Sequence, residues 1–218
     1  MKTLSFFVVT YLLFACQLRA QVPFDGTYQF PEGVYLTHES FLARIPDFSW
    51  EDIAGEMVQL PEDFRVQIAD FGLKVGSLDA PVYAISLEGF PYFFAKEDTE
   101  LQFHEFAGLR VRGIWSYYEY EGTERSSRIM YAYNPVNGKP FRQALVERKK
   151  NKTHRVLIHI MTGERIELTR ETVADIIADE PDILRAVAAL KTSDTEYYAK
   201  LRQAVKLYNE RYPLLLPE

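Results

Sequence analysis

Two groups of side chains in this sequence have the make-up of a binding surface. Residues 148–155 read Arg148-Lys149-Lys150-Asn151-Lys152-Thr153-His154-Arg155, a basic run in a chain that is acidic as a whole. Such a run can meet the phosphates of lipopolysaccharide, an acidic polysaccharide or a partner's acidic face. Tipping a hairpin, it reads first as a solvated loop, because lysines guard sheet edges against aggregation. The second group is the aromatic stretch Trp115 to Tyr120, with Tyr131 and Tyr133 nearby. Exposed rings stack on sugars, but aromatic residues are also good strand formers and core fillers. The candidate ligand-binding residues are therefore Trp115, Tyr118, Tyr120, Lys149, Lys150, Lys152 and Arg155.

Catalytic, cofactor and metal residues are harder to nominate, and the sequence names none. Nucleophilic serine chemistry shows best as Gly-x-Ser-x-Gly, and no serine, Ser40, Ser49, Ser86, Ser116, Ser126 and Ser127 among them, has that context. Neither a Walker loop nor a Gly-x-Gly-x-x-Gly fingerprint occurs, so no nucleotide cofactor is implied. Glu51-Asp52 and Glu62-Asp63 are adjacent carboxylates, and neighbours in sequence seldom span the roughly 5–9 Å that glycoside cleavage requires. His154 and His159 are five apart on one expected strand and so face opposite sides. His104 and its neighbour Glu105 alternate in the same way, and His38 stands beside Glu39 at a helix start. A metal pocket would need tertiary contacts that the spacing does not show.

Composition narrows the classes further. The chain has 218 residues, 47% of them apolar and 26% charged, with a single cysteine and a net charge of −6. That is ordinary globular composition, and the acidic balance argues against a nucleic-acid partner. Lys2, an apolar stretch from Phe6 to Ala15 and the close Leu18-Arg19-Ala20 make a secretory signal peptide over residues 1–20. The stretch is too short for a transmembrane span, which needs about 20 apolar residues. Leu13-Phe14-Ala15-Cys16 is similar to a bacterial lipobox, so a lipid anchor at Cys16 is the alternative to cleavage after Ala20. Cleavage removes Lys2 and Arg19, takes the net charge from −6 to −8 and leaves no cysteine. Export without disulfides suits a bacterial envelope, whether periplasm or cell surface. The sequon Asn151-Lys152-Thr153 would carry meaning only in a eukaryotic secretory pathway.

These residues must be positioned by a single domain over 21–218, of α+β class. Residues 21–63 form a mixed N-terminal segment. Phe24 to Tyr35 is extended, Thr37 caps a short helix from His38 to Arg44, and Trp50 to Met57 adds a helical turn. Residues 64–168 carry period-two alternation and predict antiparallel strands. Gly89-Phe90-Pro91, Asn137-Gly138 and Thr162-Gly163 are their turns, and Leu101, Leu109, Val111, Trp115 and Tyr117 mark strand positions. Residues 169–212 are helical. Thr169 caps the first helix, Pro181 opens the second, and Ser193 with Glu196 forms a capping box for the third. The third helix carries Tyr197, Leu201, Val205 and Tyr208 on one side. The expected architecture is a meandering antiparallel β-sheet with a short N-terminal helix and a C-terminal helical segment packed on it.

Gly33-Val34-Tyr35-Leu36-Thr37-His38-Glu39-Ser40-Phe41 resembles the opening of a family of exported proteins of unknown function common in Bacteroidetes. Thr162-Gly163-Glu164, Leu168-Thr169 and Asp179-Glu180-Pro181 resemble the closing segment of that family. Tyr208-Asn209-Glu210-Arg211-Tyr212-Pro213 resembles its final helix end. The resemblance covers both ends, leaves the middle strands unmatched and carries no catalytic residue. It implies export and an envelope address. The expectation is a non-enzymatic binding or structural module of the bacterial envelope, whose partner is an envelope protein or a glycan. The alternative is a hydrolase of envelope or dietary polymers.

Overall fold

The computed structural model describes residues 21–217 apart from 79, 99–101, 134 and 137, with side chains for all of these but 125, 126, 141, 146 and 147. The leader over 1–20 with Cys16, and the expected strand and turn residues Leu101 and Asn137, lie outside the described residues.

Strands dominate. They hold 45% of the chain against 21% for helices, in several antiparallel sheets that include a half-barrel, so the chain is β-rich and the expected α+β class is overturned. The single meander is replaced by three sheets. Six strands, β2 (Gly33–Tyr35), β3 (Ile53–Leu60), β4 (Arg65–Leu73), β5 (Ala84–Leu87), β6 (Phe90–Asp98) and β7 (Phe103–Gly108), lie in the order β2-β5-β6-β7-β4-β3. Three more, β8 (Trp115–Tyr133), β9 (Pro140–His159) and β10 (Arg165–Glu167), lie in the order β10-β9-β8. The two ends of the described chain pair as β1 (Gln21–Pro23) and β11 (Leu215–Pro217).

Local chemistry explains most of the boundaries. Thr37 caps α1 (His38–Ala43) and Thr169 caps α2 (Arg170–Ile176), each by a reciprocal pair with the Ser or Thr three residues on. Pro181 opens α3 (Pro181–Ala188), where its missing N–H costs nothing. The Ser193 and Glu196 capping box does not form, and α4 (Tyr197–Arg211) starts without a side-chain cap. Glu88 and Gly89 both take left-handed φ, +53° and +77°, which is the type I′ geometry of a two-residue hairpin. The turn therefore falls one residue earlier than Gly89-Phe90-Pro91 suggests, with Phe90 and Pro91 already in β6.

Two stretches depart from their expected form. Residues 53–57 lie within β3 rather than in a helical turn, because pairing with β4 supplies their backbone partners. The strand expected through Leu109 and Val111 breaks instead between β7 and β8. Gly113 sits there at φ +149°, and a methyl on it would fall 2.3 Å from Cγ of Asn209. Only glycine lets the helix come this close as the chain passes from one sheet to the next.

Three apolar clusters hold the body together. One face of the six-stranded sheet carries Val34, Val66, Ile68, Ile85 and Phe106. On the other side Phe24, Phe30, Tyr35, Phe41 and Phe93 meet Tyr118 and Ile158 from the β8–β9 pair. The opposite face of that pair, through Tyr117 and Leu157, meets Val173, Ile183, Val187, Tyr197, Leu201 and Val205 from the three C-terminal helices. Tyr208 is half-buried at the rim of this cluster. The root of the β8–β9 hairpin is thus the middle layer of the molecule, covered on both sides.

Candidate functional site

That middle layer does not stop at the edge of the body. Strands β8 and β9 pair from Trp115↔His159 to Tyr133↔Pro140, far beyond the covered root. From residue 123 out to 133 and back over 140 to 152, every residue whose side chain is described is exposed. At about 3.4 Å per residue, eleven residues form an arm about 35 Å long.

The arm has a composition unlike the rest of the chain. Residues 123–152 contain eight Lys or Arg and two Glu, a net +6, so the remainder of residues 21–218 carries −14. Charge and apolarity are also graded along it. Near the body, Lys152 pairs with Glu124 at 2.8 Å, and Arg148, Lys149 and Lys150 follow on the same strand. Toward the end, Ile129 lies across from Leu145, and Met130 across from Ala144. Ile129, Met130, Tyr131, Tyr133, Val136 and Leu145 are 48–92% exposed.

Where the arm leaves the body, its angle is fixed by several contacts. Phe93, Tyr118, Tyr120 and His154 form a run of stacked rings with centroids 5.9, 6.4 and 5.0 Å apart. His154 lies over Gly122, where a methyl would come within 2.6 Å of the imidazole. Buried Glu105 accepts from Gln67 at 2.8 Å and from Arg65 at 3.4 Å, with Lys96 at 3.8 Å. Lys96 also donates to the carbonyl of Glu121, tying the six-stranded sheet to the start of the arm. On the helix side Glu119 draws in Arg110, Arg155 and Arg202 at 3.3, 3.8 and 4.0 Å, and accepts from the Tyr117 hydroxyl. Burial pushes the phenol of Tyr118 up to about 12, and that of Tyr120 upward as well, so both remain neutral donors.

A cleft of 310 Å³ opens beside this root, with Phe94, Tyr118, Tyr120, Lys152, His154 and Arg165 in its walls. Arg165 is committed there, donating to the Phe94 carbonyl at 3.1 Å and lying 5.2 Å over the Tyr83 ring. A larger cavity of 540 Å³ lies elsewhere, beside Phe24, Phe90 and Asn209. Its Arg112 is held by the carbonyls of Tyr28 and Asp25 at 2.9 and 3.2 Å and by the Phe90 ring at 4.4 Å. That guanidinium fastens the N-terminal segment to the body through Nη1, while its buried Nη2 has no hydrogen-bond partner among the described residues.

The structure sorts the candidate residues. Tyr118, Tyr120, Lys152 and Arg155 meet at the cleft. Arg155 turns its guanidinium away, 3.8 Å over the Tyr198 ring. Tyr118 is buried and Trp115 packs edge-on against His159 and the helical cluster, so neither offers a sugar platform. Lys149 and Lys150 are exposed on the arm. The basic run does not tip a hairpin: it lies in the stem of β9, and the hairpin turns between Tyr133 and Pro140. The apolar end of the arm, Ile129, Met130 and Leu145, was not among the candidates. Its only sequence signal is that alternation loses its buried face after Tyr120.

Among the described residues no group of three or more His, Cys, Asp or Glu is placed to hold a metal ion, and no helix is long and apolar enough to cross a membrane. No protein-family model, curated protein or solved structure matches this chain.

Proposed function

We propose that this protein is an exported component of the bacterial envelope, of the kind common in Bacteroidetes, acting as a non-enzymatic binding module whose binding element is the β8–β9 arm. The observation that carries the reading is the arm itself. Eleven residue pairs' worth of strand, rich in cations, stand clear of an acidic body whose two cores are already satisfied at the arm's root. Long exposed hairpins leave unpaired edges and invite association, so they persist where a partner uses them. The stacked rings and the Glu105 and Glu119 ion clusters hold the root rigid, which presents the arm in one direction and lowers the ordering cost of binding.

Fractionation of the cell of origin tests this. The secreted chain should begin at Gln21, or at a lipidated Cys16, and sediment with the envelope. Replacing residues 124–150 by Asn-Gly joins Thr123 to Asn151, which face each other across the strands. This short-armed variant should be exported equally well but be released into the soluble fraction. Equal retention of both proteins would refute the arm as the binding element, and an intact Met1 on a cytoplasmic chain would refute export.

A further inference from the structure

We infer that the arm's partner is an anionic lipid surface, into whose headgroup layer the end of the arm inserts; this rests on the arm being the binding element. The distribution of side chains near the end is the first ground. Ile129, Leu145 and Tyr131 lie on one face of the hairpin and Met130, Ala132 and Ala144 on the other, with Val136 in the turn. A flat protein footprint or a sugar chain covers one face of a two-stranded ribbon. A headgroup layer surrounds both.

Charge is the second ground. The apolar end is followed, toward the body, by Arg148, Lys149, Lys150 and Lys152 on β9, with Arg128 on β8. Apart from Lys139 in the turn, a tyrosine-bearing apolar tip backed by cations matches the order of acyl boundary, interface and phosphate met on approaching a membrane. Arg142, opposite Ala132, is long enough to reach back to the phosphates from within that layer. The body carries −14 and would be repelled by the same surface. Held about 35 Å away it lies several Debye lengths off, since that length is about 8 Å at physiological salt. The arm therefore feels the surface while the body does not.

The backbone limits how deep the tip goes. Beyond the root, β10 pairs with β9 only at residues 156–158, and among the described residues the arm's two outer edges have no strand beside them. Unpaired N–H and C=O groups are not tolerated in hydrocarbon. Insertion thus stops at about 5–10 Å, the depth of interfacial elements, which takes in the turn with the pairs Tyr133↔Pro140, Ala132↔Arg142 and Tyr131↔Gln143 and leaves Met130 and Ile129 at the headgroup surface.

Flotation of the mature chain with vesicles tests the inference. Phosphatidylglycerol–phosphatidylethanolamine vesicles should carry the protein at low salt and release it as salt rises, while phosphatidylcholine vesicles should not carry it. Arg142→Glu/Arg148→Glu/Lys150→Glu takes the arm from +6 to zero and should weaken partition about 100-fold or more. Tyr131→Ser/Tyr133→Ser/Val136→Ser should weaken it about 10-fold or more at unchanged charge. All six positions are exposed, and unchanged melting of both variants checks that they fold. No vesicle binding, equal binding to neutral vesicles, or indifference to both variants would overturn the inference. Arm-dependent capture by soluble polygalacturonate, or salt-sensitive self-association in sedimentation velocity, without vesicle binding, would overturn it while leaving the arm as the binding element. Equal envelope retention of the short-armed variant would remove that underlying reading as well.

Discussion

Asn209 is the buried polar side chain through which α4 grips the start of β8, and replacing it tests whether the helices hold the root of the hairpin. Its Oδ1 accepts from the Trp115 amide at 3.2 Å, and its Nδ2 donates to the carbonyls of Trp115 and Arg112 at 2.7 and 3.3 Å. The residue is 6% exposed, so little water stands ready to replace it. At about 0.5–1.5 kcal/mol net per hydrogen bond, Asn209→Ala should cost about 2–4 kcal/mol. With a urea m-value of about 2–3 kcal/mol per M, the unfolding midpoint should fall by about 0.7–2 M. Asn209→Asp keeps the shape and the bond from Trp115 but turns a carboxylate oxygen toward two carbonyls. Burial against two carbonyls, with the Trp115 amide alone donating, raises the carboxyl pKa of the folded variant above its unfolded value of about 3.9. The variant's deficit is therefore largest at neutral pH and shrinks as the pH falls through the folded pKa toward the unfolded one. Urea melts followed by tryptophan fluorescence at several pH values measure both effects. A midpoint shift under about 0.3 M for Asn209→Ala, or a deficit of Asn209→Asp that ignores pH, would refute the reasoning.

Other expectations follow from the same packing. Leu201 is fully buried among the helices, so Leu201→Ala should cost about 2–5 kcal/mol in calorimetry, whereas Lys200→Asp, exposed beside it, should leave the melting temperature nearly unchanged. The short-armed variant should melt within about 2–4 °C of the parent, because the removed residues bury nothing in the three clusters; a larger loss would mean the arm belongs to the fold. Burial, with His38 nearby, holds the His159 imidazole below its ordinary value of 6.5 despite the opposing pull of Glu164. The folded chain favours the neutral ring, so this group destabilises only as pH falls below the unfolded value; an NMR titration midpoint at or above 6.5 would contradict the burial seen beside Trp115.

Local elements were legible in the sequence because their causes are local. The Thr37 and Thr169 caps and the Pro181 start depend on residues within one turn. The division into three sheets was not legible, since it depends on where a strand finds its second neighbour. Alternation through 103–120 reads as one continuing pattern, yet Gly113 and the distant Asn209 break it. Glu105 looked like half of a His–Glu neighbour pair, but its partners Arg65, Gln67 and Lys96 come from the two flanking strands, so its burial was hidden. The basic stretch was visible as composition. Its place in a stem, rather than at a turn, required the register that pairs Lys150 with Glu124 and Ile129 with Leu145. Helical spacing after residue 169 does give helices, but they are too short to balance strands of 19 and 20 residues, and the class follows the strands.

Hydrogen–deuterium exchange of the mature protein, with and without envelope vesicles from its own cell, tests the central claim most directly. Amides along 123–133 and 140–152 whose groups point outward should exchange quickly in the free protein and slow on addition of the vesicles. Amides of the three buried clusters should not change. Protection that appears at the 310 Å³ cleft, at the helices or nowhere, with the arm exchanging as before, would show that the arm is not what this protein binds with.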